Sequence, residues 1–226
     1  MKAAIMQPSY IPWVGYFALM KKVDTFVFLD DVKVVRRSWD VRNRILVHGK
    51  PLFLTVPVLG GSEQNLCDIV VDMRQCWLKK HVRTLERNYS RHRYINDVLQ
   101  IMTGIHIDER SVVLSQLTSS IVIKFARNLK IDISFLFSSQ LNVGGKRSEK
   151  LVNILKEIGC NCYISPIGAK EYIEEDGILR ANGIHVEYHD YIPIQYPQVN
   201  SKEFIPFLSI VDLVANVGFD AAIGYI

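Results

Sequence analysis

One supersecondary pattern at the head of the chain limits the folds open to it. Residues 3–6, AAIM, form an apolar run as long as a short buried strand. GYFALMKKV (15–23) brings Tyr16, Leu19, Met20 and Val23 round at helical spacing. TFVFLDDV (25–32) is rich in Val and Phe and closes on Asp30 and Asp31, which reads as a second strand. Strand, helix and strand in so short a span imply a parallel pair, because an antiparallel pair needs only a hairpin.

The second half alternates in the same way. IDISFLFSS (131–139), NCYISP (161–166) and IHVEYHDY (184–191) read as strands. SEKLVNILKEIG (148–159) is a helix with Ser148 as N-cap and Gly159 as stop. AKEYIEEDGILRANG (169–183) is helical, and FLSIVDLVANVG (207–218) is the final helix. In the middle, 34–58 is extended or a hairpin around His48-Gly49-Lys50-Pro51. A basic helix follows at 76–92, with Trp77, Val82, Leu85 and Tyr89 on its apolar side. Residues 94–102 continue helically, and 111–129 form a long helix capped by Ser111 or a neighbour. The expected fold class is therefore α/β: a Rossmann-like, mostly parallel sheet flanked by helices. One domain is expected over 1–226, with a helical insertion at roughly 60–110.

Composition narrows the function. The 226 residues are 49% hydrophobic, enough for a substantial core. Gln7 and Pro8 interrupt the first apolar run, so it is no secretory core, and no run is long enough for a membrane helix. Cys67, Cys76, Cys160 and Cys162 read as reduced thiols of a cytoplasmic protein. A net charge of +4 is too mild to argue for nucleic acid, and it suits an anionic small molecule equally well. The basic helix argues against nucleic acid too, because its aromatics do not interleave with its cations on one face.

The segment that leaves the first strand, QPSYIPWVGYF (7–17), holds two prolines, a glycine and four aromatics. In an open parallel sheet, ligands sit outside the carboxyl ends of the strands, where this segment runs. Pro8 and Pro12 stiffen it, and Gly15 permits close backbone approach. Gln7, Ser9 and Tyr10 offer neutral hydrogen bonds, and Trp13 offers a flat face to a ring or sugar. Asp30 and Asp31 end the neighbouring strand at the same edge. RRSWDVRNRI (36–45) then supplies Arg36, Arg37, Arg42 and Arg44 around Ser38, Trp39 and Asn43. Acids, guanidinium groups and aromatics at one rim suit a phosphorylated or sugar-bearing substrate. A rigid turn with its aromatics in the core, beside a solvated hairpin, would leave the same sequence.

Two further groups are weighed in the same way. SSQLNVGGKRSEKL (138–151) joins strand to helix through Ser139, two glycines, Lys146 and Arg147, an anion site or an ordinary loop. Its spacing is not that of a Walker A loop. His185, Glu187 and His189 share one strand face and could hold Zn²⁺ or Fe²⁺; a solvent-facing strand alternates likewise, and no metal is expected.

The opening segment, with VFLDDV, RSWDVRNRI and LTVPV after it, closely resembles the WbqC-like protein family. Later pieces fit as well: Trp77 to Tyr89 on the basic helix, Ser138-Ser139, YISPIGAKEYI, Tyr196-Pro197-Gln198 and FLSIVDLVANVG. The resemblance covers nearly the whole chain, and the opening segment is its most specific part. It departs at 165–169, which is less glycine-rich than the family pattern.

The resemblance implies a part in bacterial surface-polysaccharide biosynthesis, O-antigen included. It leaves the reaction open between a transferase acting on a nucleotide-activated amino sugar, or its acyl or aminoacyl donor, and a non-catalytic component of a glycan pathway. A weaker likeness of placement links Trp13 and Tyr16 to the H-x-G-H histidines of nucleotidyltransferases, but neither side chain can be a cation. The expected roles are Asp30 or Asp31 as acid/base or amine-binding group, and Arg42 and Arg44 on phosphate. Trp13 and Tyr10 would stack or hydrogen-bond.

Overall fold

The computed structural model describes residues 1–35, 37–61, 63–105 and 112–226. Arg36 and the cap expected at Ser111 lie outside the described residues.

The opening pattern folds as its periodicities require. Strand β1 (Lys2–Met6), helix α1 (Val14–Met20) and strand β2 (Thr25–Phe28) form a crossover, and the strands pair in parallel from Ala3 against Thr25 to Met6 against Phe28. The chain then makes a hairpin of β3 (Arg42–Val47) and β4 (Lys50–Thr55). Its two-residue turn puts His48 at φ 48° and Gly49 at φ 74°, the primed geometry that matches strand twist. Short strands β5 (Val58–Leu59) and β6 (Val70–Val71) follow, then helices α2 (Trp77–Asn88), α3 (Ile95–Thr103) and α4 (Leu114–Asn128).

Regular alternation resumes with β7 (Ser134–Phe137), α5 (Ser148–Glu157) and β8 (Cys162–Pro166). Helices α6 (Lys170–Asp176) and α7 (Ile178–Ala181), strand β9 (His185–His189) and helix α8 (Ile210–Ala222) complete the order.

The main sheet has the order β7-β2-β1-β8-β9, and every neighbouring pair is parallel. The chain runs outward from β1 to β7, then crosses to β8 on the far side of β1. Such a reversal is where open α/β sheets leave a crevice at the carboxyl ends of their strands. The architecture is α/β and Rossmann-like, as the sequence pattern predicts.

Alternation of side chains makes two cores. Ala4, Phe26 and Phe28 face α1, α4 and α8, while Ala3, Ile5, Val27 and Tyr163 face α5 and α7. On the first face Phe28 stacks on Phe135 at 5.8 Å and meets Phe26 edge-on at 5.3 Å. Each fully buried phenyl ring contributes about 1.5–3 kcal/mol.

Four local expectations are corrected. Helix α4 starts at Leu114 after an extended Val113, with no side-chain cap. Helix α5 starts one residue early: Arg147, at φ 49°, takes the cap position, and Ser148 is helical with its hydroxyl buried and without a partner among the described residues. The stretch 169–183 breaks in two at Gly177, whose φ of 59° suits a residue without Cβ. Helix α8 begins under the cap of Ser209, and Gly218 kinks it rather than ending it, at φ 77° and ψ 166°.

Helix α8 is tied down through Asp212, which is fully buried. Its carboxylate accepts from Tyr89 at 2.7 Å, Tyr196 at 2.9 Å and Gln198 at 3.2 Å. The Tyr89 hydroxyl also accepts from the Leu46 backbone N–H at 2.8 Å, so one network joins α8, the end of α2, β3 and the 196–198 segment.

Candidate functional site

The 7–17 segment answers for its composition in three dimensions. Ile11 sits at φ 37°, a strained value for a β-branched residue and rare before a proline. Ser209 holds it there: its hydroxyl donates to the Ile11 carbonyl at 2.7 Å and its backbone N–H donates to the Arg44 carbonyl at 2.8 Å. The Ile210 N–H donates to the Pro12 carbonyl at 2.8 Å. Loop, hairpin and α8 are thereby fastened together at the carboxyl end of β1.

The Trp13 ring folds back over the start of α1 and packs on Tyr191 at 5.5 Å and Phe207 at 5.4 Å. Only a residue without Cβ fits beneath it. A methyl on Gly15 would come within 2.6 Å of Trp13 Cζ3. We expect Gly15→Ala to push the indole out of place, shifting its fluorescence and costing about 1–3 kcal/mol as overpacking does. Unchanged emission and melting temperature would refute that account.

Beside this ring lies a cavity of about 290 Å³ lined by Met6, Ser9, Pro12, Trp13, Tyr16, Trp39, Asn43, Arg44 and Phe207. It stands at the carboxyl end of β1. Four of its nine lining residues are aromatic, and among the described residues Arg44 is its one cation. The Arg44 Nη2 donates to the Phe207 carbonyl at 2.9 Å, while its Nε is buried with no hydrogen-bond partner among the described residues. Leaving such a donor unmade costs about 1–3 kcal/mol, more on a charged group. Asn43 is the organiser beneath: its amide donates to the Tyr10 carbonyl at 3.3 Å and its oxygen accepts from the Arg44 N–H at 2.9 Å. Tyr16 donates to the Gln7 carbonyl at 2.9 Å. Four expected ligand residues, Trp13, Trp39, Asn43 and Arg44, therefore share one cavity.

The remaining expected residues stand elsewhere. Tyr10 is fully buried and turns towards α2, its hydroxyl 2.8 Å from His81 Nδ1. Burial lowers the His81 pKa to about 4, so the ring is neutral. Gln7 contributes its backbone to Tyr16 rather than lining the cavity. Ser38 donates to Asp40 at 2.5 Å; that buried carboxyl is pushed up in pKa chiefly by desolvation. Arg42 lies over the Phe53 ring, outside the cavity.

Asp30 and Asp31 belong to a separate cluster between the carboxyl ends of β2 and β7. Asp30 is 2% exposed and accepts from Ser139 N at 2.9 Å, Ser139 Oγ at 2.8 Å and Ser138 Oγ at 3.2 Å. Asp31 accepts from Ser138 Oγ at 2.5 Å and pairs with Lys150 of α5, which also donates to the Val143 carbonyl at 2.6 Å. Neither acid lines the cavity.

Lys146 and Arg147 are exposed on the loop before α5. On β9, Glu187 is taken by Lys2 at 2.9 Å, His185 stands 3.9 Å from it, and His189 Nε2 is buried with no partner among the described residues. Among the described residues no group of three His, Cys, Asp or Glu side chains could hold a metal ion. Nor, among them, is any helix long and apolar enough to cross a membrane.

The model of the WbqC-like protein family matches residues 7–223. The chain belongs to that family. The WbqC-like protein is also 31% identical over 222 residues to a Mycobacterium tuberculosis (strain ATCC 25618 / H37Rv) protein named "Uncharacterized protein Rv1507c". That match covers 97% of this chain and 95% of the relative. No solved structure matches.

Sequence reasoning misses three residues of this region in the WbqC-like protein. Phe207 closes the cavity from far along the chain, and nothing in FIPFLS marks it. Lys150 sits one helical turn beyond the basic pair 146–147 and is buried against Asp31, which a helical reading of 148–159 could have placed. Asp40 lies in the RRSWDVRNRI stretch itself, a carboxyl between Trp39 and Arg42.

Proposed function

We propose that this WbqC-like protein is a cytoplasmic transferase of surface-polysaccharide biosynthesis that binds a nucleotide-activated sugar. One observation carries the reading: Arg44 stands on the wall of a cavity lined by four aromatic side chains, at the carboxyl end of β1. A guanidinium group in such a place is matched by phosphate or carboxylate. Aromatic walls suit the apolar face of a ring. The volume, about 290 Å³, lies at the lower end of the range for ligand pockets, so it suits one ring with its phosphate.

Asn43 would set the guanidinium through its bond to the Arg44 N–H, and Trp13 would form the wall over Gly15. Asp30 and Asp31, whose oxygens are engaged by Ser138, Ser139 and Lys150, would fix the sheet edge beside the cavity. A binding component of a glycan pathway is the second reading. It is favoured by the cavity lining, which among the described residues contains no carboxylate or imidazole.

Calorimetry with glucose 1-phosphate and N-acetylglucosamine 1-phosphate tests the site. Arg44→Ala is expected to weaken binding by about 1.5–3 kcal/mol, the worth of a charge-assisted hydrogen bond, with the melting temperature little changed. Equal affinity in the variant and the parent would remove Arg44 from the site. Turnover of a nucleotide sugar in the presence of an acceptor would decide between transferase and binder.

A further inference from the structure

The mouth of the cavity continues outward as a row of two aromatic rings flanked by two cations. The β3–β4 hairpin turns Asn43, Ile45 and Leu54 inward, which leaves Arg42, Arg44 and Phe53 together on its other face. Arg44 and Phe53 are directly paired across the strands. The guanidinium of Arg44 stands 5.5 Å from the Trp39 ring, Trp39 stands 6.1 Å from Phe53, and the guanidinium of Arg42 lies 4.3 Å above Phe53. Both cation–ring distances are within the reach of cation–π attraction.

Two features set this row apart from ordinary packing. Trp39 is 51% exposed and Phe53 41%, so large apolar faces are held open to solvent beside a formed cavity. The Arg42 side chain makes no hydrogen bond or ion pair with any described residue, and its guanidinium stands over the Phe53 ring. Trp39 belongs to both places: it lines the cavity and begins the row.

We infer that the Trp39–Phe53 row, backed by Arg42 and Arg44, is a second subsite that stacks a nucleobase. The inference rests on the reading of the cavity as the seat of a phosphorylated ring. A cavity of about 290 Å³ takes one ring, so the remainder of a two-ring ligand must leave by its mouth. Leaving there, the ligand passes Arg44 and meets Trp39 and then Phe53. The phosphate next to the cavity falls against Arg44, and the base falls on the rings beyond it. Stacking is indifferent to base identity, because every base has a π-face. The row therefore reads the presence of a base, and the cavity reads the sugar.

The test compares uridine, guanosine, adenosine, cytidine and thymidine diphosphate sugars carrying glucose or N-acetylglucosamine with the matching sugar 1-phosphates, by calorimetry on the full chain. The expected result is tighter binding of at least one nucleotide sugar by about 5- to 150-fold over its sugar 1-phosphate, the range a stacked base supplies. Phe53→Ala is expected to bring that ratio close to one, and Arg42→Gln to reduce it. Circular dichroism and the melting temperature report whether each variant is folded, and Phe53→Leu stands in for the alanine variant if it is not.

If sugar 1-phosphates bind but no nucleotide sugar binds more tightly, or Phe53 variants leave the ratio intact, the second subsite is overturned and the cavity reading stands. If neither class binds the parent chain, both fall.

Discussion

Lys150→Met is expected to cost about 3–5 kcal/mol of stability, the loss seen when one partner of a buried ion pair is removed. Lys150 and Asp31 are largely shielded from water, with side-chain exposures of 11% and 20%. The variant leaves the Asp31 carboxylate with the Ser138 hydroxyl alone. The double variant Asp31→Asn, Lys150→Met is expected to recover part of the loss, because no uncompensated charge is then buried. Additive losses in denaturant titrations would refute the pairing. The double variant also separates structure from chemistry. Once a turnover assay exists, a well-folded double variant with undiminished activity would show that Asp31 transfers no proton.

Asp212→Ala is expected to cost about 3 kcal/mol or more. It strips the acceptor from two buried tyrosine hydroxyls and the Gln198 amide, each of which loses about 1–3 kcal/mol when left unmade. Asp212→Asn keeps the shape and isolates the charge.

Burial raises the Asp212 pKa from 3.8 to about 6, against the opposing pull of its three donors. Its sign is that of a group with a raised folded pKa: the native state binds the proton more tightly. The stabilisation is complete below about 4 and is lost as pH rises through about 6. His81 pulls the other way. Its folded pKa is depressed from 6.5 to about 4, so its contribution is present above 6.5 and is lost as pH falls through that window. The parent chain should therefore show a muted pH dependence between 4 and 6.5, and Asp212→Asn should lose stability steeply on acidification across it. Parallel melting curves for the two chains would refute the assignment.

The frame of this molecule could be read from its sequence because its periodicities are clean. AAIM, TFVF and CYISP are short apolar runs that put side chains on two buried faces of the sheet. Half of the cavity could be read as well, since Trp13, Trp39, Asn43 and Arg44 lie in two compact stretches near the amino terminus. What could not be read was direction. Tyr10 and Trp13 are three residues apart in one loop, yet Tyr10 points to His81 and Trp13 to Phe207, because Ile11 takes a left-handed turn between them. Nothing in a loop without period fixes that choice.

Asp30 and Asp31 show the same limit in a strand end. Their position at the sheet edge follows from the sequence, but the two serines and the lysine that occupy their oxygens come from more than a hundred residues away. The start of α5 was misplaced by one residue because Gly145 and Arg147, both at positive φ, tighten the preceding loop.

Ser209 and Phe207 give the cavity a timetable. A chain emerging from the ribosome can complete β1, α1 and β2 early, since every contact among them is local. The strained turn at Ile11 lacks its Ser209 fastening, and Trp13 its Phe207 wall, until 207–209 have been made. The cavity thus closes only after every strand of the main sheet has been made. A nascent or truncated chain that stops before Phe207 presents the opening motif as an exposed aromatic surface, at the stage when neighbouring chains are most able to capture it.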